Sequence, residues 1–239
     1  MADLNGDGHR DLITGCFEGG AYVLDGLPGG GFDAPYALLD RAGNTLRAGQ
    51  YWDDAEGWTE TPGSAFKDLL GISAAPVDWD GDGDLDLVLG TYEGRALLRL
   101  NEGSPTEPAF ATESTSIEAG GVDLQVPRGN AMPAVADWDG DGRWDLVSGS
   151  KDGDVFWYRN VGEAGKPRFA AAETLVERQG DGLDELGKRT QVAVADFDGD
   201  GDADLLVGDY HSERTEGKRE HHGWVWLYRR KGGPEAETD

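Results

Sequence analysis

The chain has 239 residues, 38% of them apolar, with 8 Trp, 7 Tyr and 7 Phe, enough to fill the core of one large domain or two small ones. Its formal charge of −26 repels phosphate backbones and anionic lipid, which excludes nucleic acid and membrane surfaces as partners, while the aromatic content excludes a solvated acidic coil. A single cysteine, Cys16, excludes an internal disulfide, and no apolar run is long enough for a membrane helix. Cys16 ends a strand pattern and reads as a small buried apolar residue. The 38 Gly residues call for many tight turns and hence an all-β protein.

In chain order, the first element is an acidic loop, Asp3-Leu-Asn-Gly-Asp-Gly-His-Arg-Asp11, followed by a turn at Glu18-Gly19 and a strand at Tyr22–Leu24. An insertion over about 41–70 then carries Tyr51, Trp52, Asp53, Asp54 and Trp58. Its aromatics and acids are of a kind that stacks on sugar rings; the plainer reading is a loop that tucks its Trp against the blade. Next come a strand at Ala74–Val77, a second loop at Asp78–Asp86, and strands at Leu85–Gly90 and Ala96–Leu100. Asn101-Glu-Gly closes the unit, and Pro108-Ala-Phe110 begins a fourth strand.

A third copy repeats this order with Pro133–Ala136, the loop Asp137–Asp145, Leu146–Gly149, Val155–Tyr158, Asn160-Val-Gly and Pro167-Arg-Phe169. Gly182–Gly187 makes at most one helical turn. The fourth copy has Val192–Ala195, the loop Asp196–Asp204, Leu205–Gly208 and Trp224–Tyr228, interrupted by a polar hairpin at Tyr210–His222. His211, His221 and His222 in that hairpin could bind a transition metal, although a solvated loop accounts for them as well. Trp79, Trp138 and Phe197 recur at the second loop position and read as blade packing. Short strands rich in Val, Leu, Trp and Tyr, repeated four to a unit, predict the blades of a β-propeller, with a cation-binding loop between the first and second strands of each blade.

The loops have the chemistry of calcium sites. Calcium takes six to eight oxygens, and carboxylates at positions 1, 3 and 5, a Gly at 6, a carbonyl at 7 and a carboxylate at 9 wrap around such an ion. The expected ligands are Asp3, Asn5, Asp7, His9 and Asp11 in the first loop and Asp78, Asp80, Asp82, Asp84 and Asp86 in the second. Asp137, Asp139, Asp141, Arg143 and Asp145 follow in the third, and Asp196, Asp198, Asp200, Asp202 and Asp204 in the fourth. His9, Asp84, Arg143 and Asp202 contribute backbone carbonyls. Four Ca2+ would bring the charge from −26 to about −18. An EF-hand is rejected, because position 12 holds Thr14, Leu89, Ser148 or Val207 in place of Glu and the flanks are strands.

The loop and its flanking strands resemble the VCBS/FG-GAP repeat, which builds calcium-binding propellers such as the headpiece of integrin alpha subunits and occurs in many bacterial surface proteins. The Asn-x-Gly…Pro-x-Phe ending resembles the bacterial VCBS type. The resemblance implies a non-catalytic, calcium-stabilised binding or adhesion module, outside the cell or on its surface, with a protein or glycan partner. The alternatives are a polysaccharide lyase-like enzyme, which would need a base such as Arg143 or Lys151 beside one calcium, or a lectin. Met1-Ala2-Asp3 aligns with Val135-Ala136-Asp137, so the chain reads as one that starts within a blade of a longer propeller and could self-associate if left open. The expected blades are about 1–40, 71–115, 130–175 and 190–230, with a disordered tail over 231–239.

Overall fold

A computed structural model describes residues 1–180, 185–215 and 218–230. The expected tail at 231–239 lies outside these residues, as does half of the expected turn at Gly182–Gly187. No described residue is helical, and four small antiparallel sheets stand as the blades of a four-bladed β-propeller.

Blade 1 comprises β1 (Leu12–Gly15), β2 (Ala21–Leu24) and β3 (Tyr36–Ala37). A hairpin of β4 (Gln50–Asp53) and β5 (Gly57–Glu60) occupies the insertion. Blade 2 runs β6 (Gly71–Val77), β7 (Asp86–Thr91), β8 (Ala96–Arg99) and β9 (Thr115–Ser116), followed by a small ribbon of β10 (Glu118–Ala119) and β11 (Val122–Asp123). Blade 3 runs β12 (Met132–Ala136), β13 (Asp145–Gly149), β14 (Val155–Tyr158) and β15 (Glu173–Val176). Blade 4 holds β16 (Lys188–Ala195), β17 (Asp204–Thr215) and β19 (Val225–Tyr228), and β18 (Lys218–His222) pairs with the far end of β17.

Blades 2 and 3 thus have the expected strand number, whereas blade 1 has three strands and blade 4 gains its fourth from the hairpin. The fourth strands also begin later than expected. Phe110 and Phe169 make only isolated bridges, antiparallel to Asn101 and Asn160 and parallel to Asp40 and Ala119. The cause is the Asn side chain: Asn101 Oδ1 accepts from Gly103 N and Ala109 N, and Asn160 Oδ1 from Gly162 N and Arg168 N. Each Asn closes a loop before the strand can start, and each Phe becomes a core plug, 1% and 3% exposed.

The core lies between blades. Leu4, Val23, Leu46, Leu87, Leu97 and Phe110 pack blade 1 on blade 2, and Val88, Leu98, Leu146 and Tyr158 pack blade 2 on blade 3. Val147, Val155, Leu205 and Val207 pack blade 3 on blade 4. Strands β7 and β13 are buried throughout because a blade covers each face, which is why they read as continuous apolar runs. Leu87 is fully buried, and its truncation to Ala costs about 2–5 kcal/mol. Blade 4 differs: β16 and β19 alternate in exposure, and Phe197, Val225 and Leu227 stand partly in solvent.

A cavity of about 400 Å³ on the axis is lined by β1, β6, β12 and Gln191 and Val192 of β16. In blades 2, 3 and 4 the lining strand precedes the acidic loop. In blade 1 it follows the loop, and the preceding strand is reduced to the bridge between Ala2 and Asp11. Cys16 is partly exposed rather than buried, since β1 ends at Gly15 and Cys16 enters the turn.

Candidate metal centres

In blades 2, 3 and 4 the acidic loop joins the first strand to the second, in blade 1 it precedes β1, and paired glycines shape it. Gly81 and Gly83 have φ of 80° and 94°, Gly140 and Gly142 of 74° and 86°, a region that side chains enter at a cost. Between these kinks the Asp side chains fold inward onto the loop's own amides. Asp137 accepts from Asp141 N and Gly142 N, and Asp141 accepts from Arg143 N. The other loops repeat the motif, as with His9 N on Asp7 and Asp202 N on Asp200.

The structure brings positions 1, 3 and 9 together in three loops. One carboxylate oxygen from each of Asp78, Asp80 and Asp86 lies within 4.8 Å of the others, and the same holds for Asp137, Asp139 and Asp145 and for Asp196, Asp198 and Asp204. The expected ligands at position 5, Asp82, Asp141 and Asp200, stand outside these triads. In the first loop Asn5 replaces one acid, and Asp3, Asp7 and Asp11 form no such triad.

Position 9 does more than complete a triad. Asp86 is 1% exposed; its Oδ2 accepts from Trp79 N at 2.9 Å and its Oδ1 from Asn101 N at 2.6 Å. Asp145 bonds Trp138 N and Asn160 N in the same way, Asp204 bonds Phe197 N and Arg230 N, and Asp11 bonds Leu4 N and Gly26 N. This buried carboxylate therefore buckles the loop to the chain just past β2, β8, β14 and β19 in the four blades. Sequence reasoning, which saw only a closing ligand, missed that role.

The loops differ in charge. In the second, Asp84 is 2% exposed and its Oδ1 is buried with no hydrogen-bond partner. Burial, and then Asp82, Asp86 and Asp80, push its carboxyl up to about 6. Asp86 is also pushed up to about 6, by burial first; the amides of Asn101 and Trp79 oppose this and Asp80 and Asp82 add to it. In the third loop Arg159 reaches Asp139 at 2.6 Å and Asp141 at 3.3 Å, and Arg143 also pairs with Asp141. There burial is the largest single influence on Asp141 and pushes its carboxyl up, but the Arg143 amide and both guanidinium groups together outweigh it and the carboxyl is held low. In the fourth, Arg229 stands 3.6 Å from Asp198. The signal for this difference was present but unread: the residue before the strand end buckled by Asp is Leu100 in blade 2, Arg159 in blade 3 and Arg229 in blade 4.

A divalent cation fits the second loop, where no described guanidinium pairs with the triad, and an unpartnered buried carboxylate oxygen stands in the second and third loops alike, on Asp84 and on Asp139. The orphaned Asp84 oxygen and the all-oxygen donor set suit a hard ion such as Ca2+, held by Asp78, Asp80 and Asp86. Position 2 is the packing residue it was expected to be in two loops: Trp79 meets Trp144 and Phe169 at 5.2 and 6.0 Å, and Trp138 packs under Arg230 at 5.4 Å. Phe197 departs from that expectation, at 57% exposed, because no blade covers it.

The FG-GAP-like repeat model matches residues 78–148 and again 137–207, in register with the second, third and fourth loops. The chain belongs to the FG-GAP-like repeat family. No curated protein matches it. The family's repeat therefore coincides here with a loop, its buckle and the strand pair that follows.

Apart from Arg143, which lies in the third loop, the other singled-out residues lie at the opposite end of the blades. Trp52 and Trp58 pair across β4–β5, are 45% and 49% exposed, and meet edge to face at 5.6 Å. Phe17, in the β1–β2 turn, meets both Trp58 and Tyr92. In the hairpin, His222 joins Glu213 and Glu220 in a group whose ligand atoms lie within 4.8 Å, while His211 turns to Asp209 and the Glu185 carbonyl. Lys151 stands over Tyr92, and Arg143 is an ion-pair partner.

Proposed function

We propose that the chain is a calcium-stabilised, non-catalytic binding module of an exported or surface protein. Three Asp triads in the same register on successive blades support the calcium part of this reading. The family's frequent extracellular placement and the millimolar calcium found there support the rest. Recognition belongs to the end of the propeller away from the loops, where Trp52, Trp58 and Phe17 form an exposed aromatic platform suited to a glycan or protein surface.

A calcium titration monitored by thermal melting tests the stability claim. Saturating a single site to about 100 times its Kd adds about 2.7 kcal/mol, so chelation lowers Tm by about 5–10 °C per occupied site. An identical melting curve in calcium and in excess EDTA overturns the calcium reading. A glycan array with wild type and Trp58→Ala tests the platform, and binding that survives the substitution removes it.

A further inference from the structure

Successive residues of β4 point to opposite faces, so the insertion that exposes Trp52 turns Tyr51 the other way. There it walls a cavity of about 350 Å³ between blades 1 and 2, whose lining includes Asp40, Arg47, Tyr51, Arg99, Thr112 and Glu113. Most of the wall comes from the insertion, which the later copies of the repeat lack.

Four charged side chains line this cavity, two of each sign, and none is held by an ion pair to any described residue. Half-buried charges are ordinarily paired. Arg99 is 3% exposed and commits its N–H groups to neutral oxygens, Ser114 Oγ at 3.0 Å and the carbonyls of Ala111, Thr112 and Arg47. Burial disfavours its charge, and Glu113 and Asp40 favour it from a distance. Arg99 stands opposite the residue that follows the buckle aspartate, a register held by Tyr158 in blade 3 and Tyr228 in blade 4. The buried cation is thus particular to the junction that has the cavity. Asp40 is committed to its own turn, accepting from Ala42 N and Asn44 N at 2.9 Å each. Glu113 accepts no hydrogen bond from any described residue. Arg47 stacks on Tyr51, with Cζ 3.6 Å from the ring centre. Stacking uses a face of the guanidinium and leaves its edge of N–H donors, which matches a carboxylate.

We propose that this cavity binds a small zwitterion, a free α-amino acid, with its carboxylate on the Arg47 edge and its ammonium on Glu113. A simple anion would meet Asp40 and Glu113, and a simple cation would meet Arg47 and Arg99. A ligand with both charges answers both signs, and having no net charge it is indifferent to the −26 of the whole protein. The volume lies at the small end of the range of small-molecule sites. Pro62 is the one aliphatic residue in a wall otherwise charged, hydroxyl or amide, which favours an amino acid with a short or polar side chain. The site goes beyond the binding-module reading and rests on neither the calcium loops nor the tryptophan platform, so its failure leaves both standing.

The test is calorimetric titration of the calcium-loaded chain with glycine, L-serine and L-glutamine, and with glucose as an uncharged polyol. At least one amino acid is expected to bind with one-to-one stoichiometry at millimolar concentration or below. Its N-acetyl derivative lacks the ammonium and its carboxamide lacks the carboxylate, and each should bind about tenfold more weakly or worse. Arg47→Gln and Glu113→Gln should weaken binding by a similar factor. Glu113 is exposed, so Glu113→Gln should melt as wild type does, and it decides the matter if Arg47→Gln does not fold. Silence with all three amino acids, equal affinity for the derivatives, or full affinity in Glu113→Gln overturns the proposal. Binding of glucose in place of the amino acids also overturns it and assigns the cavity to a sugar.

Discussion

The second and third acidic loops share their turn glycines, Asp triads and buckles, and in each burial pushes the buckle carboxyl up, yet they differ in the cations beside them. Around the second, Asp84 has an unpaired buried oxygen and two carboxyls are pushed up to about 6. Around the third, Arg159 and Arg143 have already moved in. Identical ligand spacing therefore does not mean identical demand for a cation. The spacing sets the shape, and one neighbour, Leu100 or Arg159, sets the charge.

The strongest challenge to this comparison is to cut the shared part. Asp86→Ala and Asp145→Ala each strip two buried amides of their acceptor and should cost about 3–5 kcal/mol, equally in the two blades, measured by urea denaturation. A large inequality would show that the loops differ in architecture and not only in charge. Next in size is the ion itself. Asp80→Asn should remove one bound Ca2+ from the calorimetric stoichiometry, whereas Asp139→Asn should change it little, because Arg159 already neutralises that carboxylate.

The charge exchange is subtler. Leu100→Arg should weaken the second site about tenfold, and Arg159→Leu should strengthen the third by a similar factor. Terbium luminescence sensitised by Trp79 and Trp144 would report both. If neither variant shifts affinity, the neighbour has no part in the difference. The smallest expected effect is on loop closure: Asn101→Ala and Asn160→Ala should each cost about 1–2 kcal/mol, read as a lowered Tm with calcium stoichiometry unchanged.

Most of the fold was legible because the repeat states it several times. The loops, the strand after each and the inter-blade apolar runs all follow from residues in register. What escaped was non-local. The late start of the fourth strands depends on where an Asn side chain bonds across eight residues in each of the pairs Asn101–Ala109 and Asn160–Arg168. The double bonding of Asp86 and its equivalents depends on an amide fifteen residues away in the case of Asn101. The exposure of Phe197 depends on a neighbour it lacks, while Trp79 and Trp138 occupy the same position and are covered. Within the site, positions 1, 3 and 9 were legible as a cluster, and the cationic neighbours were not, since they come from a different strand of the blade.

The buckle aspartate also fixes an order of events. Both of its oxygens are satisfied by the chain's own amides, so a blade can close before any ion arrives. On the proposed calcium reading, metal would then load onto a finished scaffold, loop by loop and at different concentrations, since the loops carry different charge. Such a molecule would answer a fall in calcium in steps, stiffening or loosening one blade at a time, as a dial rather than a latch.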